Sequence, residues 1–338
     1  MSIEVVFYPK QASRQDLKRH LVALGFKPSG HLWQWPKGSL HFFWFDAADY
    51  KSFNGVEATI YPKRAEEQQE YPGSEWALHT RTRALASPED HRRQNFVIRK
   101  ARKQFQGTFI NDWYGKNRYI PTEEDRRDPV ARGIFLLYES VTSSISAVKV
   151  SVPNPTEGFQ KFIGTDLEAL STADPARVLY NALIPFVVAA LEHFFSQTFR
   201  MLLRYDANAQ RRLKEETRKL EIADALSIRD GERTIEDVVA QWYSFQSVDS
   251  IHKAFKQWFD IDFWSLIRRK KKIRQRILRL DREFVQLIES RHGVVHAFEM
   301  DLNLGKEKIE ELLDLAVALI DIFVSYLETQ RGTPIRDR

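Results

Sequence analysis

Arg291, His292 and His296 stand close together in the stretch "IESRHGVVHAFEMD" at 288–301, among Val294, Val295, Ala297 and Phe298. Two chemistries fit such a group. The first is metal binding. His292 and His296 are four apart and share a helix face, and Glu289 with His292 gives one Glu-x-x-His spacing. A di-metal bundle needs a second such pair on another helix, and the chain offers none. The zinc pattern HExxH needs a glutamate directly after its first histidine, where this chain has Gly293. No metal and no cofactor is therefore expected. The second chemistry is acid–base work on a phosphate. Imidazole moves protons near neutral pH, and guanidinium grips phosphoryl oxygens through a planar fork. Together they can cleave RNA: a histidine removes the 2′-hydroxyl proton, and an arginine steadies the charge that builds on the phosphorus oxygens.

Geometry constrains this reading. Five residues along a regular helix turn through about 140° and rise roughly 7.5 Å, so one straight helix does not aim Arg291 and His296 at one phosphate. Either Gly293 loosens the turn, or two copies of the helix meet across a two-fold axis and share the site, which predicts a homodimer. The structural alternative is a histidine satisfied among valines and an arginine that pairs with a nearby acid such as Glu289.

Upstream lies "RRKKKIRQRILRLDR" (268–282), in which nine of fifteen residues are Lys or Arg and one is acidic. Arg268, Arg269, Lys270, Lys271, Lys272, Arg274 and Arg276 form a stripe that attracts phosphates by releasing counterions; otherwise it is a solvated helix face. The chain as a whole is only mildly basic, with a net charge of +5. Its 338 residues suggest two domains. The absence of cysteine removes disulfides and thiolate metal sites and fits a cytoplasmic protein. "MSIEVVFYPK" does not have the pattern of a signal peptide. The most apolar stretches, 183–203 and 309–327, are interrupted by Glu192, His193, Asp314 and Asp321, so no membrane span is expected.

The elements that must carry these residues divide at a change of composition. Residues 1–165 read as an α+β domain. Strands are expected at 3–8, 56–61 and 76–85, with a hairpin around "PKGS" (36–39) and two more strands at "RGIFLLYES" (132–140) and "SAVKVSV" (146–152). Ser13 with Asp16, and Ser87 with Pro88 and Asp90, mark helix starts. The second of these helices exposes Arg92, Arg99 and Lys103, and His79, Arg81 and Arg83 fall on one strand; both groups are candidate RNA contacts or solvated charge. Turn residues place a linker at 166–175. From 176 to 331 the periodicity is helical, with a bend at Pro185 and a clear three–four stripe from Ile309 to Leu327. Several such helices make an all-α bundle, followed by a tail at 332–338.

The order of parts then resembles a known family. Arg, a polar residue, three more residues and His ("RHGVVH"), set between a charged helix and a long apolar closing helix, is similar to the signature of the HEPN superfamily. "VAALEHFFSQTFRML" resembles its first helix. The resemblance covers roughly 175–331 and leaves the N-terminal domain unexplained. It implies a homodimeric HEPN-like bundle that cuts RNA without metal, often as a toxin or in defence against phage, under an activating trigger or an antitoxin. It also implies His296 as general base and Arg291 as phosphate stabiliser. His292 fills a position where asparagine is common, so it donates a hydrogen bond or acts as a second acid. Glu192 either orients Arg291 or forms an ordinary interhelical pair. The N-terminal domain is expected to sense a trigger, restrain the nuclease or contact RNA. A non-catalytic RNA-binding or assembly protein with the same bundle is the alternative.

Overall fold

A computed structural model of the chain describes residues 2–30, 35–46, 51–83, 86–122, 127–161, 174–301 and 303–336. It divides into two compact units, Met1–Leu136 and Leu137–Arg338, where the sequence places the boundary near 165.

The first unit is built on a seven-stranded antiparallel sheet in the order β2-β3-β4-β5-β1-β6-β7. Its strands are β1 (Ile3–Pro9), β2 (Lys27–Pro28), β3 (Leu40–Trp44), β4 (Val56–Pro62), β5 (Trp76–Thr82), β6 (Gly107–Asn111) and β7 (Gly115–Lys116). Alternation along each strand sorts the two faces. Val5, Phe7, Ala58, Ile60 and Leu78 point to one side and are buried against Leu17 and Leu21 of α1 (Arg14–Ala23) and Val97, Ile98 and Ala101 of α3 (Pro88–Phe105). Both helices start at the capping boxes that the sequence predicts: Ser13 with Asp16, and Ser87 with Asp90. The other face carries Tyr8, Tyr61 and Ala77, packed with Trp35 and Tyr71. A short helix, α2 (Ala65–Glu70), supplies Glu67, which accepts hydrogen bonds from the hydroxyls of Tyr8 and Tyr61. His79, Arg81 and Arg83 are engaged within the sheet: His79 with Glu4 at 3.0 Å, Arg81 with Glu4 at 3.5 Å and Arg83 with Glu57 at 2.5 Å. Each therefore already has a carboxylate neighbour on an adjacent strand.

Where the sequence predicts strands at 132–140 and 146–152, the chain forms one helix, α4 (Pro129–Ser151). Short windows rich in Val, Ile and Thr imitate strands. Across the whole segment the buried residues include Val130, Ala131, Ile134, Leu137, Val141 and Ile145, which recur at the three-to-four spacing of one helix face. The first arm of the hairpin expected around "PKGS" and most of the expected linker fall at 31–34 and 162–173, outside the described residues. After the four-residue α5 (Glu157–Gln160), Asp174 caps α6 (Pro175–Tyr205), so Pro175 begins a helix.

The second unit is largely helical. α6 runs through Pro185 as one element and is followed by α7 (Ala207–Glu215), α8 (Ile222–Arg229), α9 (Ile235–Ala240), α10 (Val248–Phe259) and α11 (Phe263–Ile267). The charged stretch at 208–226 is divided between α7 and α8. By length and composition α6 could cross a membrane, but here it forms the centre of the bundle. Its Phe195 meets Phe255, Phe263 and Phe323 edge-on at centroid distances of 6.3, 5.1 and 5.4 Å. Such pairs each add about 0.5–1.5 kcal/mol beyond burial alone. Phe323 belongs to the closing helix α13 (Lys306–Arg331), which follows α12 (Leu280–His292).

The expected tail is packed. Ile335 is fully buried, and Glu328 of α13 accepts hydrogen bonds from the backbone N–H groups of Ile335 and Arg336 and pairs with the Arg336 guanidinium at 2.6 Å. Burial alone raises the pKa of this carboxyl, but the Arg336 guanidinium and the two amides outweigh it and hold the value at about 2. Glu328→Gln is expected to cost about 1–2 kcal/mol at neutral pH. A depressed carboxyl pKa stabilises the fold fully above the unfolded value of about 4.3, and that contribution is lost as pH falls through about 2. Urea unfolding of parent and variant should therefore converge as the pH is lowered over this window; a gap that stays constant contradicts the pairing.

Candidate functional site

The candidate residues sit where α12 ends. From Gly293 to Ala297 the chain widens into a π-helical turn. The Phe298 N–H bonds the Gly293 carbonyl, five residues back, and the Glu299 N–H bonds the same carbonyl at 3.1 Å. The sequence supplies local reasons. Gly293 weakens the α-helical preference, and β-branched Val294 and Val295 crowd a tight turn. Phe298, in the left-handed region at φ 53°, stops the helix. A π-turn closes its hydrogen bond between residues five apart, so side chains at that spacing turn towards a common face. The widened turn begins at Gly293, two residues after Arg291, and contains His296. The exit loop is fixed to α6 by Asn181, whose side chain accepts from the Asp301 N–H at 2.9 Å and donates to the Asp301 carbonyl at 3.1 Å.

His292 and His296 are exposed, and their rings stack at a centroid distance of 5.6 Å and an angle of 22°. Arg291 is half-buried. Among the described residues, neither Arg291 nor His296 makes a side-chain hydrogen bond or an ion pair. A partly desolvated guanidinium with no anion is costly to hold, and His292 follows it directly in the chain. The structural alternative, in which Arg291 pairs with Glu289, is not what the fold adopts. Glu192 corrects an expectation. It lies half-buried on α6, and its carboxylate accepts from the Gln246 side chain at 3.2 Å; no hydrogen bond or ion pair joins it to Arg291. Partner choice between distant helices depends on their rotation in the bundle, which spacing does not reveal.

The basic stripe is also corrected. The sequence suggests a charged helix; the chain forms a hairpin, β8 (Lys270–Ile273) paired antiparallel with β9 (Arg276–Arg279). Arg274 takes φ 54° in the two-residue turn, as a tight hairpin demands. Ile273 and Leu278 are buried beneath it, while Lys270, Lys272 and Ile277 face outward, Ile277 being 71% exposed. The seven predicted contacts fall into two groups. Arg274 binds Glu310 at 2.6 Å and Asp314 at 2.8 Å, and Arg276 binds Glu311 at 3.0 Å. These two clamp the hairpin to α13. Arg268, Arg269, Lys270, Lys271 and Lys272 have no carboxylate partner among the described residues. The Arg268 guanidinium lies 5.3 Å over the Trp264 ring, a neighbour four residues back on the sequence that the sequence reading missed.

This split predicts two phenotypes. Replacing Lys270, Lys271 and Lys272 together by alanine should lower the salt dependence of RNA binding by about 2 in log–log slope, at about 0.7 per phosphate contact on a single strand, without changing the melting temperature. Arg276→Ala should instead lower the melting temperature, because it leaves the 5%-exposed Glu311 with only Lys308 at 2.8 Å. Fluorescence anisotropy over a salt series, alongside thermal unfolding, separates the two.

A cavity of about 490 Å³ opens beside the π-turn, between α12 and the start of α13, lined by Glu283, Glu289, Glu299 and Lys308 over Leu287 and Leu304. None of Arg291, His292 and His296 lines it. Next to the histidines the surface is apolar: Phe298 is 86% exposed, and Val295 and Met300 are about two-fifths exposed. These residues stand in the motif region, where apolar character alone signals no role. Among the described residues no group of three or more His, Asp or Glu is placed to hold a metal ion. No family model, curated protein or solved structure matches the chain.

Proposed function

We propose that the chain is a metal-independent endoribonuclease of HEPN type, acting in the cytoplasm as a homodimer, in a toxin or anti-phage role held in check by a trigger or an antitoxin. The observation that carries the proposal is the exposed π-turn, which presents two stacked imidazoles beside an arginine without an anion. In the proposed reaction His296 takes the 2′-hydroxyl proton and the 2′-oxygen attacks phosphorus. Arg291 stabilises the charge on the phosphoryl oxygens. The bond to the 5′-oxygen breaks, and that oxygen takes a proton from an acid, for which His292 is the candidate. The products are a 2′,3′-cyclic phosphate and a 5′-hydroxyl. The cations of β8 with Arg268 and Arg269 hold the strand, and the apolar surface at Phe298 receives a second copy.

The second reading is a non-catalytic RNA-binding or assembly protein, favoured by the unpaired cations at 268–272 taken without the histidines. One comparison separates the two: the purified chain, Arg291→Ala and His296→Ala, each incubated with a mixed RNA pool in EDTA. Cutting by the parent alone supports the enzyme. Equal gel shifts without cutting support the binder. Toxicity on expression that His296→Ala relieves identifies a nuclease that needs its trigger in vitro.

A further inference from the structure

The first unit carries a second basic surface that the nuclease reading does not use. At its sheet edge, β6 and β7 form a hairpin in the register Ile110↔Lys116 and Asn111↔Gly115, with Asp112, Trp113 and Tyr114 at the tip. Asn111 is 1% exposed, and its side-chain oxygen accepts from the backbone N–H groups of Trp113 and Tyr114 at 3.0 and 3.2 Å. Gly115, at φ 86°, closes the turn. The tip is therefore pinned, yet Trp113 is 51% and Tyr114 37% exposed. Rings of this size on a built turn cost little entropy to present and offer faces for stacking.

The flank of this hairpin is cationic. The last turns of α3 lie along its stem: the Arg102 guanidinium is 5.8 Å from the Phe109 ring, and the Arg99 guanidinium is 5.1 Å from the Tyr119 ring. Lys116 and Arg118 extend from the hairpin itself. All four cations are exposed, and among the described residues none has a carboxylate partner. Basic residues in the last turn of a helix also complement its dipole. That accounts for Arg102 but not for Lys116 and Arg118, nor for the exposed aromatic pair. The tip's carboxylate, Asp112, is occupied by the Glu4 backbone N–H at 3.0 Å.

We propose that the β6–β7 hairpin and the adjoining end of α3 bind single-stranded nucleic acid, with Trp113 and Tyr114 stacking on bases and Arg99, Arg102, Lys116 and Arg118 following the phosphates. Base stacking on aromatic side chains beside a cationic track is the chemistry by which single strands are held without sequence readout. A membrane surface fits less well. The residues around the aromatic pair are Asn111, Asp112, Gly115, Lys116 and Asn117, and no aliphatic side chain among them accompanies the rings into a bilayer.

The test uses the full chain with Lys270, Lys271 and Lys272 replaced by alanine, so that the second unit's stripe does not mask the signal, and it reads binding rather than cleavage. Labelled single-stranded RNA, single-stranded DNA, duplex RNA and vesicles containing an anionic phospholipid serve as probes. The expected result is binding of single strands in preference to duplex and vesicles. Trp113→Ala with Tyr114→Ala should weaken it by about tenfold or more, and Trp113→Phe should retain most of it. Arg99→Ala with Arg102→Ala should reduce the log–log salt slope by about 1.4. RNA alone among the single strands makes the surface a substrate contact; equal DNA binding makes it a general single-strand site, and both satisfy the proposal. Vesicle binding in place of single strands, equal binding of duplex, no binding, or affinity unchanged by the aromatic variants overturns it. With His296→Ala added to every variant the RNA probe stays whole, and single-stranded DNA has no 2′-hydroxyl to react, so the result is independent of whether Arg291 and His296 are catalytic.

Discussion

Arg291→Ala and His296→Ala are each expected to lower RNA cleavage by about 10²-fold or more, while leaving the melting temperature where it is. The second half of that expectation gives the first its force. Neither side chain makes an internal hydrogen bond or ion pair among the described residues, so truncation breaks no polar contact that supports the fold. Substitutions of that kind usually stay within about 0.5 kcal/mol. A structural arginine or histidine behaves in the opposite way, losing stability and activity together. Parallel melting curves and single-turnover cleavage rates distinguish the cases. A variant that keeps the parent's rate removes its residue from the proposed chemistry.

Phe298→Asp is expected to convert a dimer into a monomer and to abolish most cleavage with it. Phe298 is 86% exposed and stands two residues beyond His296. A large apolar side chain in the left-handed region costs conformational energy, so its retention in such a place needs a return, and burial against a second copy provides one. A two-fold contact counts the residue twice, at about 2–3 kcal/mol for each phenylalanine removed from water. Aspartate tolerates the left-handed region better, so the monomer should be at least as stable as the parent protomer. Sedimentation velocity at micromolar concentration reads the oligomer. A parent that is monomeric and fully active contradicts the shared-site arrangement without touching the roles of Arg291 and His296.

The parts of this fold that were legible from sequence are those fixed by local physics. The capping boxes at Ser13 and Ser87 start their helices as expected, and the three–four stripe of the closing helix is buried from Ile309 to Leu327. The errors have local causes too. In α4, β-branched residues in short windows hid a helical period that appears only over its 23 residues. In the basic hairpin only Ile273 and Leu278 are buried, and charge at nearly every other position obscures a two-residue alternation. Its turn uses Arg274 and Gln275 in place of the glycine or asparagine that usually marks one. The π-turn was visible only as a suspicion about Gly293. Glu192 could not be assigned, because its partner Gln246 sits in the turn between α9 and α10, whose placement against α6 the spacing does not reveal.

The most direct measurement is the chemistry of the RNA ends. Full-length chain is incubated with a defined oligoribonucleotide in EDTA, and the products are identified by mass spectrometry beside His296→Ala and a substrate whose 2′-hydroxyls are replaced by hydrogen. The expected result is 2′,3′-cyclic phosphate and 5′-hydroxyl ends from the parent alone, and no cleavage of the 2′-deoxy strand. Ends with 3′-hydroxyl and 5′-phosphate, cleavage of the 2′-deoxy strand, or identical products from His296→Ala would contradict it.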